Sequence, residues 1–308
     1  MQSDLLKLPA GMRVIERGWL SANGILFQGS GGTALVDTGY SSHAAQTVAL
    51  VRNALEGANL DLVLNTHLHS DHCGGNAALQ QAYPGVRTLI PPGLAAFVRE
   101  WDPVALSYTP TGQRCPRFSF DDVLVPGQKI ELGENRWQIH AAPGHDPHSV
   151  ILFEPASRTL ISADALWENG FGVVFEELEG VAAFDEVAAT LDLIESLAPL
   201  VVVPGHGRVF AGVAGALAAA RSRLDGFIRD PGRHARHAAK VLLKFRLLEV
   251  QRAGIDDLQR WAAETEYFDM VHRRFPGGTD LGDWVEALLT DLVRSGAARR
   301  DGDAILNA

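Results

Sequence analysis

The sequence predicts a globular α/β protein, and three observations carry that prediction. Short apolar runs of strand length, such as Leu62-Val63-Leu64 and Leu200-Val201-Val202-Val203, recur through the first two-thirds of the chain and end in turn residues. Apolar residues at helical spacing dominate the last third. The chain has 308 residues, 46% of them hydrophobic, enough for one large domain and a smaller appendage.

In chain order, Leu62-Val63-Leu64 reads as a strand ending at Asn65, which leaves Thr66-His67-Leu68-His69-Ser70-Asp71-His72 on the loop that follows. Gly74 and Gly75 then let the chain turn sharply into a helix, with Cys73 an ordinary small residue beside them. The run from Trp137 to Ala142 ends in Pro143-Gly144-His145-Asp146-Pro147-His148. Thr159-Leu160-Ile161-Ser162-Ala163 ends in Asp164, and Leu200 to Val203 ends in Pro204-Gly205-His206-Gly207. Val213 through Ile228 reads as a connecting helix, broken at Asp230-Pro231-Gly232. Beyond it, His234 to Arg252 reads as a helix with Val241, Leu242, Phe245 and Leu248 on one face, and Ile255 to Glu264 as another. A turn at Pro276-Gly277-Gly278, a helix from Asp283 to Ser295 and a tight hairpin from Ala298 to Leu306 complete the chain. The predicted domains are 1–222 and 223–308.

The Thr66–His72 loop holds three of the chain's 11 His beside an Asp, within six residues. Imidazole nitrogens and a carboxylate oxygen are ligands that zinc favours and that iron and manganese also accept. His145, Asp164 and His206 would each be unremarkable alone, since His after Pro-Gly is commonly a turn residue and Asp after a strand an N-cap. As a series, with one ligand-type residue at the end of each apolar run, they extend the metal-site reading.

With these residues in hand, the chain resembles the metallo-β-lactamase-fold superfamily over roughly residues 12 to 215. The early Asp-before-Gly motif is matched by Leu35-Val36-Asp37-Thr38-Gly39, the His-x-His-x-Asp-His motif by His67, His69, Asp71 and His72, and the later ligands by His145, Asp164 and His206. The resemblance implies an αβ/βα sandwich of two stacked sheets flanked by helices, with metals at one edge. It implies two divalent ions, foremost Zn2+, one on His67, His69 and His145, the other on Asp71, His72 and His206, with Asp164 bridging. A metal-bound hydroxide would then be the nucleophile, Asp71 would accept or relay the proton, and Asp37 would orient a ligand His. Many relatives read Gly-His-Thr-Pro-Gly-His where this chain reads Gly-His-Asp-Pro-His-Ser, which leaves His148 outside the ligand set.

Several branches of the superfamily are disfavoured. Flavodiiron proteins place Glu at the position of His69. True β-lactamases of this fold generally lack the bridging Asp and are exported, whereas residues 1 to 25 show no basic region followed by an apolar core and a cleavage site. A cytoplasmic location is the expectation, consistent with only 2 Cys, far apart in the chain. No apolar run is long enough for a bilayer. The formal net charge of −10 disfavours indiscriminate binding to nucleic acid or anionic membrane. Between Arg221 and Arg260, however, ten Lys or Arg face five acids, which reads first as a solvated helix face.

The tail's order of helices and a final hairpin resembles a winged helix that could bind nucleic acid, cap the active site or support a homodimer. Two segments are expected to overhang the metals: Trp101 to Phe120, and Trp167 to Phe175, where Trp167, Phe171 and Phe175 would form an apolar wall with no cluster of Lys or Arg. The expected function is hydrolysis of a small ester, thioester or lactone. The alternatives are an endoribonuclease or phosphodiesterase using the tail, and a mononuclear iron dioxygenase built on His67, His145 and Asp164.

Overall fold

A computed structural model describes residues 7–275 and 280–308, so the turn expected at Pro276-Gly277-Gly278 lies outside the described residues. One sheet runs in the order β1 (Met12–Ile15), β2 (Gly24–Gly29), β3 (Gly32–Val36), β4 (Leu62–Leu64), β5 (Arg87–Ile90) and β6 (Asp122–Val123). Its first two pairings are antiparallel and the last three parallel. The second sheet comprises β7 (Lys129–Leu132), β8 (Asn135–Ala141), β9 (Val150–Glu154), β10 (Thr159–Ala163) and β11 (Val201–Pro204), antiparallel except for the β10–β11 pair.

Strand alternation explains how the sheets stack, because successive side chains point to opposite faces. Ala34, Val36 and Leu64 point inward to meet Trp137, Ile139, Val150, Leu152 and Val203 of the second sheet, while their neighbours Leu35 and Val63 point outward. That outer face packs on α1 (Ala44–Ala54), and on Leu79 and Tyr83, which lie beyond the short α2 (Ser70–Cys73) in and after α3 (Asn76–Ala82). After α4 (Ala95–Glu100) and the second sheet come α5 (Phe175–Glu179), α6 (Phe184–Leu197) and α7 (Val213–Arg229). Leu191 and Ile194 of α6 and Leu217 and Leu224 of α7 cover Ile151, Phe153 and Leu160 on the outer face of the second sheet. The result is the αβ/βα sandwich.

The expected boundary at residue 222 falls inside α7, whose buried residues as far as Phe227 still belong to the core beneath the second sheet. The break at Asp230 is sharp: its side chain accepts from the Arg233 backbone N–H at 3.1 Å and Pro231 opens α8 (Pro231–Val250), so the next helix starts three residues earlier than the periodicity suggests. The tail continues through β12 (Arg252–Gly254), α9 (Ile255–Glu264), α10 (Glu266–Arg274), α11 (Leu281–Arg294), β13 (Ala298–Asp301) and β14 (Ala304–Asn307). Its three strands pair in the order β12-β14-β13. The expected hairpin is β13–β14; β12 and α10 escape sequence reading, one because it is only three residues long and the other because of its charge density. Val173 and Leu178, from the chain after β10, pack into the core of this tail with Leu243, Phe268 and Leu288. The tail therefore grips the segment that overhangs the site.

The two cysteines, distant in sequence, are neighbours in space: the Sγ atoms of Cys73 and Cys115 lie 3.8 Å apart as free thiols. The loop around residues 101–120 folds back over α2 to bring this about. Among the described residues, no helix is long and apolar enough to cross a membrane.

Candidate metal centre

Five chain segments leave the ends of β3, β4, β8, β10 and β11 at the same edge, and the site is assembled from them. Beyond β3, Asp37 adopts a left-handed backbone conformation (φ 59°), one that Asp tolerates better than most residues. Its carboxylate accepts from the Thr66 backbone N–H at 2.9 Å and the Thr66 hydroxyl at 2.8 Å, and lies 2.8 Å from His72 Nδ1. That contact fixes the His72 ring so that Nε2 faces the other histidines. His145 is fixed in the same way by its Nδ1, 2.6 Å from the Val173 carbonyl, which leaves Nε2 to the site.

All seven sequence-predicted ligands converge. His67, His69 and His145 bring one nitrogen each within 4.8 Å of one another, and the ligand atoms of Asp71, His72 and His206 do likewise. Asp164 stands between the two groups: its Oδ1 is 3.4 Å from His72 Nε2, and its Oδ2 is 3.4 Å from His145 Nε2 and 3.8 Å from His206 Nε2. Asp71 Oδ2 is 3.1 Å from His206 Nε2. His148 stays apart, its ring packed against Gly93 and its backbone N–H bonded to Asp146.

Protonation suits a cation-binding role. Burial, with neighbouring imidazoles, holds His67 well below the ordinary histidine range and His145 at about 4, so both are neutral with a free lone pair. Burial opposes ionisation of Asp164, but His72 and His206 outweigh it and keep the carboxylate ionised. Burial also opposes a charge on His72, yet Asp164 and Asp37 hold its pKa well above normal. His67 Nε2 is buried without a hydrogen-bond partner, a costly arrangement unless something electropositive satisfies it. The residues therefore fit a pair of divalent cations.

A cation taken up at His72 Nε2 must displace a proton, since the raised pKa keeps this imidazole charged at neutral pH without metal. Metal uptake at pH 7 is accordingly expected to release a proton, and affinity to weaken as pH falls. Calorimetric titration of metal into the stripped protein, in two buffers of different ionisation heat, measures this directly. Identical heats would remove His72 from the ligand set.

Above the cluster opens a cavity of about 660 Å³. Its lining departs from sequence expectation in three respects. Trp167 and Phe175 reach the cavity, but Phe171 is buried in the core beneath the second sheet instead. Trp19, which no motif marks, is 54% exposed and stacks on His206 at 5.4 Å, forming the cavity lip with Trp167. The basic stretch is not simply a solvated face: α7 and α8 turn Arg223, His237, Lys240 and Lys244 to the cavity, together with Val241 and Phe245. Sequence reading found the apolar stripe of α8 without its destination, because periodicity shows that a face is covered but not by what.

A family model described as the metallo-beta-lactamase superfamily matches residues 17–206. Among curated proteins, a hydroxyacylglutathione hydrolase of Stenotrophomonas maltophilia (strain R551-3) is 32% identical over 152 residues, covering 49% of this chain and 48% of the relative. The chain thus spans about half the length of this relative. Among solved structures, a beta-lactamase domain protein from Burkholderia ambifaria aligns with a TM-score of 0.61 at 22% identity, over 98% of this chain and 94% of that one. A metallo-beta-lactamase family protein from Thermus thermophilus aligns at 0.56 and 20% identity, over 98% of this chain and all (100%) of that one. Both share the fold along nearly the whole chain, tail included.

Proposed function

Since the chain belongs to the metallo-beta-lactamase superfamily, we propose that it is a metal-dependent hydrolase that cleaves a small thioester, ester or lactone. The observation that carries this reading is the Asp164 carboxylate standing between two three-residue ligand groups at the floor of a largely apolar cavity. His67, His69 and His145 would hold one divalent cation, Asp71, His72 and His206 the other, with Asp164 shared and zinc the first candidate. When bound, such a pair supplies Lewis acidity, polarising the scissile carbonyl and acidifying a water.

The protein's own residues do the rest. Asp71 faces His206 through Oδ2, the oxygen that would serve the cation the two residues share, which leaves Oδ1 to take a proton from the attacking water and return it to the departing thiol or alcohol. Asp37 and the Val173 carbonyl keep His72 and His145 in the tautomers that present Nε2. Trp167 Nε1 donates to Asp164 Oδ1 at 3.2 Å, orienting that carboxylate. Phe175, Val241, Phe245 and Leu248 line the cavity and offer an acyl chain an apolar bed that bare phosphate would not use. The relative's name as a hydroxyacylglutathione hydrolase supports a thioester in particular. α8 presents that apolar face to the cavity, which supports a capping role for the winged-helix-like tail over nucleic-acid binding.

The test is a set of initial rates for the metal-loaded protein on thioesters, esters, lactones and a labelled single-stranded RNA, with Asp71→Ala as the contamination control and metal content measured in parallel. Thioester or ester turnover that Asp71→Ala lacks supports the proposal. RNA cleavage lost in that variant, with inert esters, overturns it in favour of a nuclease. Iron rather than zinc at the site, with oxygen consumption, would point to a dioxygenase.

A further inference from the structure

The chain has only two cysteines, 42 positions apart, yet the fold brings their sulfurs into contact at 3.8 Å. Cys73 ends α2, the short helix that carries Asp71 and His72, and is fully buried. Cys115 lies in the loop that folds over this helix and is half-buried, so an oxidant arriving from solvent meets Cys115 first. Leu68, Val98, Leu106, Tyr108 and Phe118 surround the pair with apolar groups. Two small apolar residues would fill that space as well; two adjacent thiols add a chemistry that they would lack.

The two sides of the pair are held unequally. On the α2 side the Thr38 N–H donates to the His72 carbonyl at 2.7 Å. Gly74 packs so closely that an added Cβ would stand 2.4 Å from the Ser70 carbonyl oxygen and 2.6 Å from the Ser41 nitrogen. Residues 113–120, by contrast, form neither helix nor strand. Before Cys115 the loop is anchored at Arg114, whose N–H donates to the Tyr40 hydroxyl at 3.1 Å and whose carbonyl accepts from the Ser41 hydroxyl at 3.0 Å. After it, Pro116 and Arg117 are exposed. A disulfide requires the sulfurs to close from 3.8 Å to about 2.05 Å, and the irregular loop is the side that can yield. The same loop lines the cavity through Thr111 and Gln113.

We propose that Cys73 and Cys115 are a reversible modification site, at which a peroxide oxidises Cys115 and Cys73 then closes a disulfide that secures the cavity-lining loop to α2. In the first step hydrogen peroxide passes one oxygen to the Cys115 sulfur, giving a sulfenic acid and water. In the second, the Cys73 sulfur attacks the Cys115 sulfur, the S–S bond replaces the S–O bond, and the hydroxyl leaves with the Cys73 proton as a second water. Two electrons thus pass from the sulfurs to the peroxide, and a dithiol returns them by thiol–disulfide exchange. A transient bond of this kind accords with a chain so poor in cysteine. The inference stands apart from the hydrolase reading, because neither sulfur belongs to the candidate ligand groups.

The test treats the full chain as purified, reduced and then freed of reductant, with hydrogen peroxide. The mass should fall by about 2 Da and both free thiols should disappear. Tryptic digestion without reductant should join peptide 53–87 to peptide 115–117, and dithiothreitol should restore both thiols. Cys73→Ala should stop at a Cys115 sulfenic acid that dimedone traps, and Cys115→Ser should leave Cys73 unreacted. Brief trypsin treatment of the native protein reads the hold on the loop: cleavage after the exposed Arg114 and Arg117 should slow at least about threefold in the oxidised wild type and stay unchanged in Cys115→Ser. Oxidation of Cys115 to a sulfinic acid with Cys73 unlinked overturns the site, as does joining of two chains through Cys115. So does survival of both thiols under peroxide that consumes free cysteine at equal concentration. A disulfide that forms without slowing cleavage overturns the hold on the loop.

Discussion

Asp71→Asn is expected to lower kcat by about three orders of magnitude while the fold persists. The substitution keeps the size of the side chain and its contact with His206 Nε2, now at 3.1 Å, and removes only the charge and the basicity of the unshared oxygen. Burial opposes ionisation of Asp71, yet its hydrogen bond from His206 and the charge of His72 keep its pKa below the ordinary carboxylate value. The group is therefore an anion throughout the neutral range, ready both to ligate and to accept a proton. Rates on the best substrate, with metal content measured on the same preparation, separate the two roles. Full metal occupancy with lost turnover assigns Asp71 the proton transfer; loss of one metal per chain assigns it ligation. Wild-type kcat in the variant would exclude both.

Gly205→Ala should be nearly as damaging, although it alters none of the predicted ligands. A Cβ at this position would stand 2.2 Å from Asp164 Oδ1 and 2.9 Å from His72 Cε1. The backbone cannot retreat, because the Gly205 N–H donates to the Ala163 carbonyl at 2.7 Å and its carbonyl accepts from the Asn23 N–H at 2.7 Å. The Asp164 carboxylate must swing away instead, taking the shared ligand with it. Metal affinity should fall about 100-fold, with a stability cost on the order of 1–3 kcal/mol from overpacking. Equilibrium dialysis against zinc and a thermal melt measure the two quantities. Normal occupancy and normal rates would mean that Asp164 is not the residue joining the two groups.

The candidate ligands were legible because each one interrupts a pattern. His67 to His72 follow Leu62–Leu64, and His145, Asp164 and His206 each follow an apolar run, so their types and positions stand out against the strands that deliver them. Asp37 was legible through its motif, and the structure supplies the physical content of its role in the contacts with Thr66 and His72. Trp19 was not legible. A tryptophan before β2 has no spacing that links it to His206, about 190 residues later, and only the packing of the two sheets brings the rings together.

The chemistry of this protein is written locally in its chain: ligand types, their order and the strand ends that carry them follow from side-chain chemistry and from the period of the backbone. What surrounds that chemistry is settled by packing. Arg223 and Lys240 lie in a basic stretch that, taken alone, suits solvent as well as a cavity, and Val241 and Phe245 form an apolar face that could have packed on anything. Their shared destination above the candidate ligands depends on the break at Asp230, on Val173 and Leu178 packing into the core of the tail, and on the close fit of Gly170 against Arg223. Those are contacts between residues distant in the chain, which hydrophobic periodicity demands in general but does not specify.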